Sequence, residues 1–379
     1  MLIVDPRGIL MMHYDVQAGL KGCETFSRPF MKLPHIGSSR LVSAASWLRI
    51  LALLACMLCL GVVILGAYVR LSDAGLGCPD WPGCYGHVSP AGAAADLAQP
   101  GSAAAAIAAR SGRPLELGKA WREMLHRYAA ATLAVLIALI AAASLRWRAA
   151  RLMPVGLGLA LLGSVLLQAA FGMLTVTWRL QPLIVTLHLI FGLTTLSLLW
   201  WLVLGLWRDP TNPGPAAPRG LRTLATVALL ALAAQLALGG WTSSNYAALA
   251  CPDLPTCQGS WWPPADFHAA FRPWRGLEFD APGNMHSAAL IAIQFVHRVG
   301  ALATSVVLLL AALATLRASG SGPVRLAAWG IITALGLQLA IAASMILKSF
   351  PLELATAHNA GASLLLLATL ALNRTLRFR

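Results

Sequence analysis

The sequence predicts an all-α integral membrane protein: eight transmembrane helices, arranged as a tandem pseudo-two-fold repeat of two four-helix bundles. Of its 379 residues, 58% are hydrophobic and 11% charged. Apolar runs long enough to cross a bilayer recur along the whole length, and eight can be counted. A self-similarity at an offset near 170 residues relates the first four runs to the last four.

The formal net charge of +14 would suggest nucleic acid in a soluble domain. Here the basic residues sit mostly between apolar runs, where they orient the chain in a membrane, and nucleic-acid binding is set aside. Residues 1–46 are polar and mixed and read as a cytoplasmic N-terminal tail, with Met11, Met12 and Met31 as alternative starts. No cleavable signal peptide is expected, because the first apolar run is too long for a signal h-region.

The spans are expected near 47–69, 122–143, 152–175, 183–206, 221–243, 288–316, 325–347 and 354–373. Arg146, Arg148 and Arg151 lie between spans two and three, and Arg208, Arg219 and Arg222 between four and five. Arg374, Arg377 and Arg379 follow the last span. These connections are cytoplasmic by the positive-inside rule, so both termini are cytoplasmic and segments 70–121 and 244–287 face outward. The Ala-rich stretch 91–109 is expected to lie as a short helix on the membrane surface. Pro210, Pro213, Pro215 and Pro218 mark 208–220 as a linker between an N-terminal half, 47–207, and a C-terminal half, 221–379.

The repeat rests on ordered landmarks. Cys78-Pro79-Asp80-Trp81-Pro82-Gly83-Cys84 returns as Cys251-Pro252-Asp253-Leu254-Pro255-Thr256-Cys257, an offset of 173. His126 returns as His297 at 171, and Gln168 and His188 return as Gln338 and His358 at 170. An even number of spans per unit gives both halves the same orientation, about an axis along the membrane normal.

His126, His188, His297 and His358 each fall near the outer start of an even-numbered span. One such histidine is as well explained by an interhelical hydrogen bond. Four at matched depth, two per half, favour a metal or haem. No Cys or Asp stands nearby within the bundle to complete a tetrahedral zinc site. Two imidazoles do complete a haem iron, whose macrocycle supplies the other four ligands. Each half therefore reads as a bis-histidine pocket, His126 with His188 and His297 with His358. Arg70, Arg179 and Lys348 are candidate partners for the haem propionates. Arg127 and Arg298 are weaker ones, since adjacent helix residues point about 100° apart.

The outward cysteines are expected to pair as Cys78–Cys84 and Cys251–Cys257, helped by the turn-forming prolines. A four-thiolate zinc site shared between the halves is the alternative. Cys56 and Cys59 lie inside a span and read as small buried thiols.

Glu123 precedes His126 by three residues, about 4.5 Å of rise and roughly 60° short of a full turn, so its carboxylate can lie over the edge of a macrocycle held by His126. There it can take a proton, stabilise positive charge or orient water. Its counterpart Gln294 cannot ionise. A surface carboxylate favoured by the helix dipole is the plainer reading of Glu123.

The run Gly66-Ala67-Tyr68-Val69-Arg70-Leu71-Ser72-Asp73-Ala74-Gly75-Leu76-Gly77, leading into the first cysteine loop, resembles the haem A synthase family. So do Glu123-x-x-His126-Arg127 and the three later histidines. The likeness extends from about residue 47 onward and is nearest the bacterial form with two cysteine pairs; the mitochondrial form usually lacks them. The resemblance implies oxidation of a haem O methyl group to a formyl by successive hydroxylations, giving haem A for terminal oxidases. It implies substrate haem O between His126 and His188, a haem b cofactor between His297 and His358, and an essential role for the acidic residue matching Glu123. It further implies a bacterial inner membrane with the haem sites toward the periplasm, haem O supplied by a haem-farnesylating enzyme, an unidentified electron donor, and a homo-oligomer as a plausible state. The competing class is a dihaem b-type cytochrome carrying electrons between quinol and a periplasmic acceptor, which would use the same histidines but would need neither Glu123 nor the cysteine loops.

Overall fold

The computed structural model describes residues 2–4, 10–12, 38–150, 152–207, 217–274, 287–318 and 322–377. At the N-terminus, β1 (Leu2–Val4) pairs antiparallel with β2 (Leu10–Met12), Leu2 opposite Met12. Beyond that ladder the described chain is helical. Helix α1 spans Ser38–Leu71, so helix begins inside the segment read as a tail.

Among the described residues, eight helices are long and apolar enough to cross a membrane, as the sequence predicts. They are α1, α4 (Leu117–Arg146), α5 (Val155–Thr177), α6 (Pro182–Leu206), α7 (Arg219–Ser244), α9 (Ser287–Ala318), α10 (Gly322–Leu347) and α11 (Leu352–Arg377). Helix α7 begins at Arg219, slightly inside the expected linker; residues 208–216 of that linker, with Arg151, Cys23 and Arg379, lie outside the described residues.

The Ala-rich outer stretch forms two helices rather than one, α2 (Pro90–Leu97) and α3 (Ala103–Ser111). Ser89 and Ser102 cap them, each hydroxyl accepting a backbone N–H of the first turn, and Gly101 at φ 73° turns the chain between them. They do not lie alone on a membrane surface. Ala93 and Ala104 pack with Ala120 and Met124 of α4 around the fully buried Tyr85, forming a small core beside the first turns of α4. In the other half a single-turn α8 (Phe267–Ala270) stands in the outer segment and packs against α9.

The main core runs through the inner part of the bundle, from Leu48 and Ala52 in α1 through Leu196 and Leu199 in α6 to Leu372 and Leu376 in α11. Helix α6 packs on both α7 and α11, so the last span of one half meets the first and last spans of the other. Polar contacts fix that junction. The Trp200 indole donates to the Leu367 carbonyl (2.9 Å), the Thr186 and Ser244 hydroxyls meet at 3.0 Å, and Arg70 donates to the Ser243 carbonyl (3.1 Å).

Several local features recur at the offset of the sequence repeat. Tyr85 and Gly86 take positive φ (51° and 81°), as do Gln258 and Gly259 (54° and 75°). Arg179 and Leu180 (47° and 59°) match Ser349 and Phe350 (57° and 60°) in the tight turns after α5 and α10. A backbone bridge joins Cys84 to His87 and another joins Cys257 to Ser260.

Candidate functional site

Each cysteine loop is a small, closed turn. Cys78 is bonded to Cys84 and Cys251 to Cys257, so each pair closes within its own loop. Two successive residues at positive φ form the primed turn that suits a two-residue hairpin connection. An aspartate pins that turn. The Asp80 carboxylate accepts the amides of Tyr85 (2.6 Å) and Gly86 (2.8 Å), and Asp253 accepts those of Gln258 (2.6 Å) and Gly259 (2.9 Å). Asp253 also takes the Thr256 hydroxyl, and these donors together hold its acidity down at about 2.

The arginine after each first histidine clamps the loop to the helix. Arg127 donates to the carbonyls of Asp80 (2.9 Å), Pro82 (3.2 Å) and Gly83 (2.5 Å). Arg298 donates to Asp253 (2.8 Å), Thr256 (2.7 Å) and Cys251 (2.6 Å). Both side chains are committed to the loops. Their direction away from the histidines, which made them weaker propionate partners, is what lets them reach loop carbonyls more than forty residues earlier.

The halves diverge at the next contact. Glu123 is buried, 4% exposed, and both its oxygens are engaged. Oε1 lies 2.6 Å from an Arg127 nitrogen, and Oε2 accepts the Cys78 amide at 2.9 Å. The loop thus covers the carboxylate and orients it. Gln294 is equally buried at 4%, but its Oε1 has no hydrogen-bond partner among the described residues. With no carboxylate to meet, Arg298 turns its second nitrogen to the Cys251 carbonyl instead.

The four histidines lie on α4, α6, α9 and α11, all half-buried. The sequence pairs His126 with His188 and His297 with His358. Glycines make room for the first ring of each pair. A Cβ on Gly66 of α1 would stand 2.8 Å from His126 Cε1, and one on Gly239 of α7 would stand 3.2 Å from His297 Cε1. Both contacts are tight, so a side chain in either place would push the imidazole. His126 Nδ1 and His188 Nδ1 are buried without a partner among the described residues. Two histidines per four-helix unit in an apolar bundle, with a glycine facing the first ring of each pair, are the residue types that would hold a haem iron.

Of the propionate candidates, Arg70 is half-buried and crosses to the other half, its guanidinium 4.0 Å from the Tyr246 ring centre, with its Nε buried and unbonded among the described residues. Arg179 and Lys348 are exposed at the ends of α5 and α10. Cys56 and Cys59 are free and buried in the core, as expected.

Residues 49–370 match the family model described as cytochrome oxidase assembly protein. The chain is 39% identical to the heme A synthase of Shewanella oneidensis over 82% of its own length and 91% of that protein. It is 30% identical to the heme A synthase of Rhizorhabdus wittichii, covering 89% and 95% of the two chains, and 30% identical to that of Methylobacterium radiotolerans, covering 87% and 89%. An eight-span bundle with two histidine pairs, matched along most of its length by these relatives, thus belongs to the cytochrome oxidase assembly protein family.

Proposed function

We infer that the chain is a haem A synthase, a multi-pass membrane oxidoreductase that converts haem O to haem A by oxidising a porphyrin methyl group to a formyl through successive hydroxylations. The observation that carries the division of labour is the contrast at one helical position. Two sites alike in their histidines, loop clamps and glycine walls differ in having a buried, oriented carboxylate at Glu123 and a neutral amide at Gln294.

On this reading residues 47–207 form the substrate half, with His126 and His188 on the haem O iron. Residues 221–379 form the cofactor half, with His297 and His358 holding haem b, which when bound supplies one-electron redox chemistry. The recurring turns and clamps support treating the bundle as a duplicated four-helix unit.

Glu123 is the catalytic residue in this account. The Cys78 amide and Arg127 hold its carboxylate, and its remaining lone-pair capacity can accept a proton or orient a reacting hydroxyl. The cost of burying that charge is offset by the guanidinium beside it. The Cys78–Cys84 loop, closed over by Tyr85, keeps bulk water from the carboxylate. Arg70 and Arg179 remain the candidates for substrate propionates.

The distribution of arginines supports a bacterial inner membrane with both termini cytoplasmic and both sites toward the periplasm. A haem-farnesylating enzyme supplies haem O; on this reading each hydroxylation inserts an oxygen atom from dioxygen into the methyl carbon, the second oxygen atom leaving as water with two electrons from an external donor and two protons.

The test is to co-express the full chain with a haem O source, purify it, and chromatograph the extracted haem. Haem A together with haem b is expected. Haem b alone, with no haem A formed, would overturn this reading in favour of an electron-transferring dihaem cytochrome.

A further inference from the structure

The segments that carry the two cysteine loops diverge just after them. In the N-terminal half Ser89 caps α2, and α2 and α3 help bury Met124 of α4, which is 2% exposed. In the C-terminal half Trp262 holds the place of Ser89, at the loop offset of 173, within the run Trp261-Trp262-Pro263-Pro264. Among the described residues only the single-turn α8 follows before α9. Phe295 of α9, which matches Met124 at the offset of 171, is left half-buried.

Trp262 packs against Phe295 edge to face, ring centres 5.3 Å apart, and against Phe267 at 6.4 Å. Even so, Trp261 and Trp262 are each 73% exposed, more than any other tryptophan among the described residues. Further along the segment Trp274 meets Trp178, at the end of α5, with ring centres 5.6 Å apart. The segment thus stays beside the ends of spans on both sides.

Phe295 also heads a stripe along α9. Val299, Leu302, Val306, Leu309 and Leu313 follow it at helical spacing, and all five are exposed. From Phe295 to Leu313 the helix rises about 27 Å at ~1.5 Å per residue, close to the roughly 30 Å of a bilayer's hydrocarbon core. Arg317 lies one turn beyond the other end of the stripe, where a cation can reach water. An exposed apolar stripe of that length on a span faces acyl chains. Phe295 therefore marks the depth at which acyl chains give way to headgroups.

We propose that Trp261 and Trp262 continue the lipid-facing stripe of α9 into the headgroup layer, so that phospholipid covers this side of the C-terminal half where α2 and α3 cover the N-terminal one. The occupant follows from continuity: the indoles abut the last ring of a surface already facing lipid. An indole suits that layer, its apolar body meeting acyl chains and its N–H meeting water and headgroups. The assignment depends on the spans alone and not on haem chemistry.

The test places nitroxide labels on the full chain in phosphatidylcholine vesicles, in a background with Cys23, Cys56 and Cys59 changed to Ala. A label at Trp261→Cys is expected to collide more with oxygen than with a water-soluble nickel chelate. One at Gln99→Cys, exposed beyond the end of α2, is expected to show the reverse. Nickel collisions at position 261 as frequent as at 99 would overturn the proposal. So would shielding from both agents with spin–spin broadening, the mark of a second copy seated on the patch. A reading without labels comes from Trp261→Phe with Trp262→Phe, which keeps aromatic packing. The emission lost on this change, parent minus variant, should be quenched by lipids brominated near the headgroup end of their acyl chains; a difference emission untouched by bromine would contradict insertion.

Discussion

Around His126, a buried carboxylate receives one arginine nitrogen and the amide of a disulfide-closed loop, and Nδ1 of each imidazole of the pair is buried without a partner among the described residues. Around His297, the carboxylate is an amide, the arginine turns wholly to the loop backbone, and both imidazoles lie against glutamines. The backbone turns, the aspartate that pins each loop and the glycine facing the first histidine are alike in the two halves. On the reading proposed above, a duplicated scaffold would carry two roles by changing a few side chains within one or two turns of each histidine.

The largest expected effect comes from the ligands. His126→Ala should reduce haem A formation by at least about 10²-fold while leaving the C-terminal b-type spectrum in place, and His297→Ala should remove that spectrum. Equal spectral losses from the two variants would break the distinction between the halves. Next is the clamp. Arg127→Ala leaves Glu123 buried without its counter-charge, a loss of about 3–5 kcal/mol. Arg298→Ala removes only bonds to carbonyls, about 1.5–3 kcal/mol. Thermal unfolding in detergent should rank Arg127→Ala as the more damaging, and the reverse order would count against a buried ion pair at Glu123.

Opening either disulfide by a double Cys→Ser change should cost about 2 kcal/mol for a loop this short. Only Cys78→Ser with Cys84→Ser should also lower haem A yield, because only that loop donates an amide to Glu123. The smallest effect concerns Asp253. Its acidity in the folded loop is about 2, below the ordinary carboxylate value, so its contribution is present above roughly pH 4 and fades as pH falls toward 2. Asp253→Asn should remove that dependence, seen as a flat acid limb in loop-cysteine protection from a reductant.

All eight spans were legible because each is an uninterrupted apolar run, although α4 begins at Leu117, five residues before the expected start, where Lys119 and Arg122 hide it. The outer alanines were misread as one helix. Ser102 and the Pro100-Gly101 pair, a cap signal and a break, could have divided them. Cysteine pairing within each loop was legible from the two short, proline-bearing loops. What composition and spacing did not reveal were contacts between segments far apart in the chain: the clamps of Arg127 and Arg298, the aspartates that pin the turns, and Gln235. Gln235 stands among apolar residues in the middle of α7, with Val62 at the matching place in α1.

The most direct test of the central claim is Glu123→Gln, which makes the N-terminal half resemble its partner at this position. The account predicts a protein that keeps both haem signals, forms no haem A, and accumulates haem O or its hydroxylated intermediate on chromatography of the extracted haem. Haem A at the parental yield would contradict it.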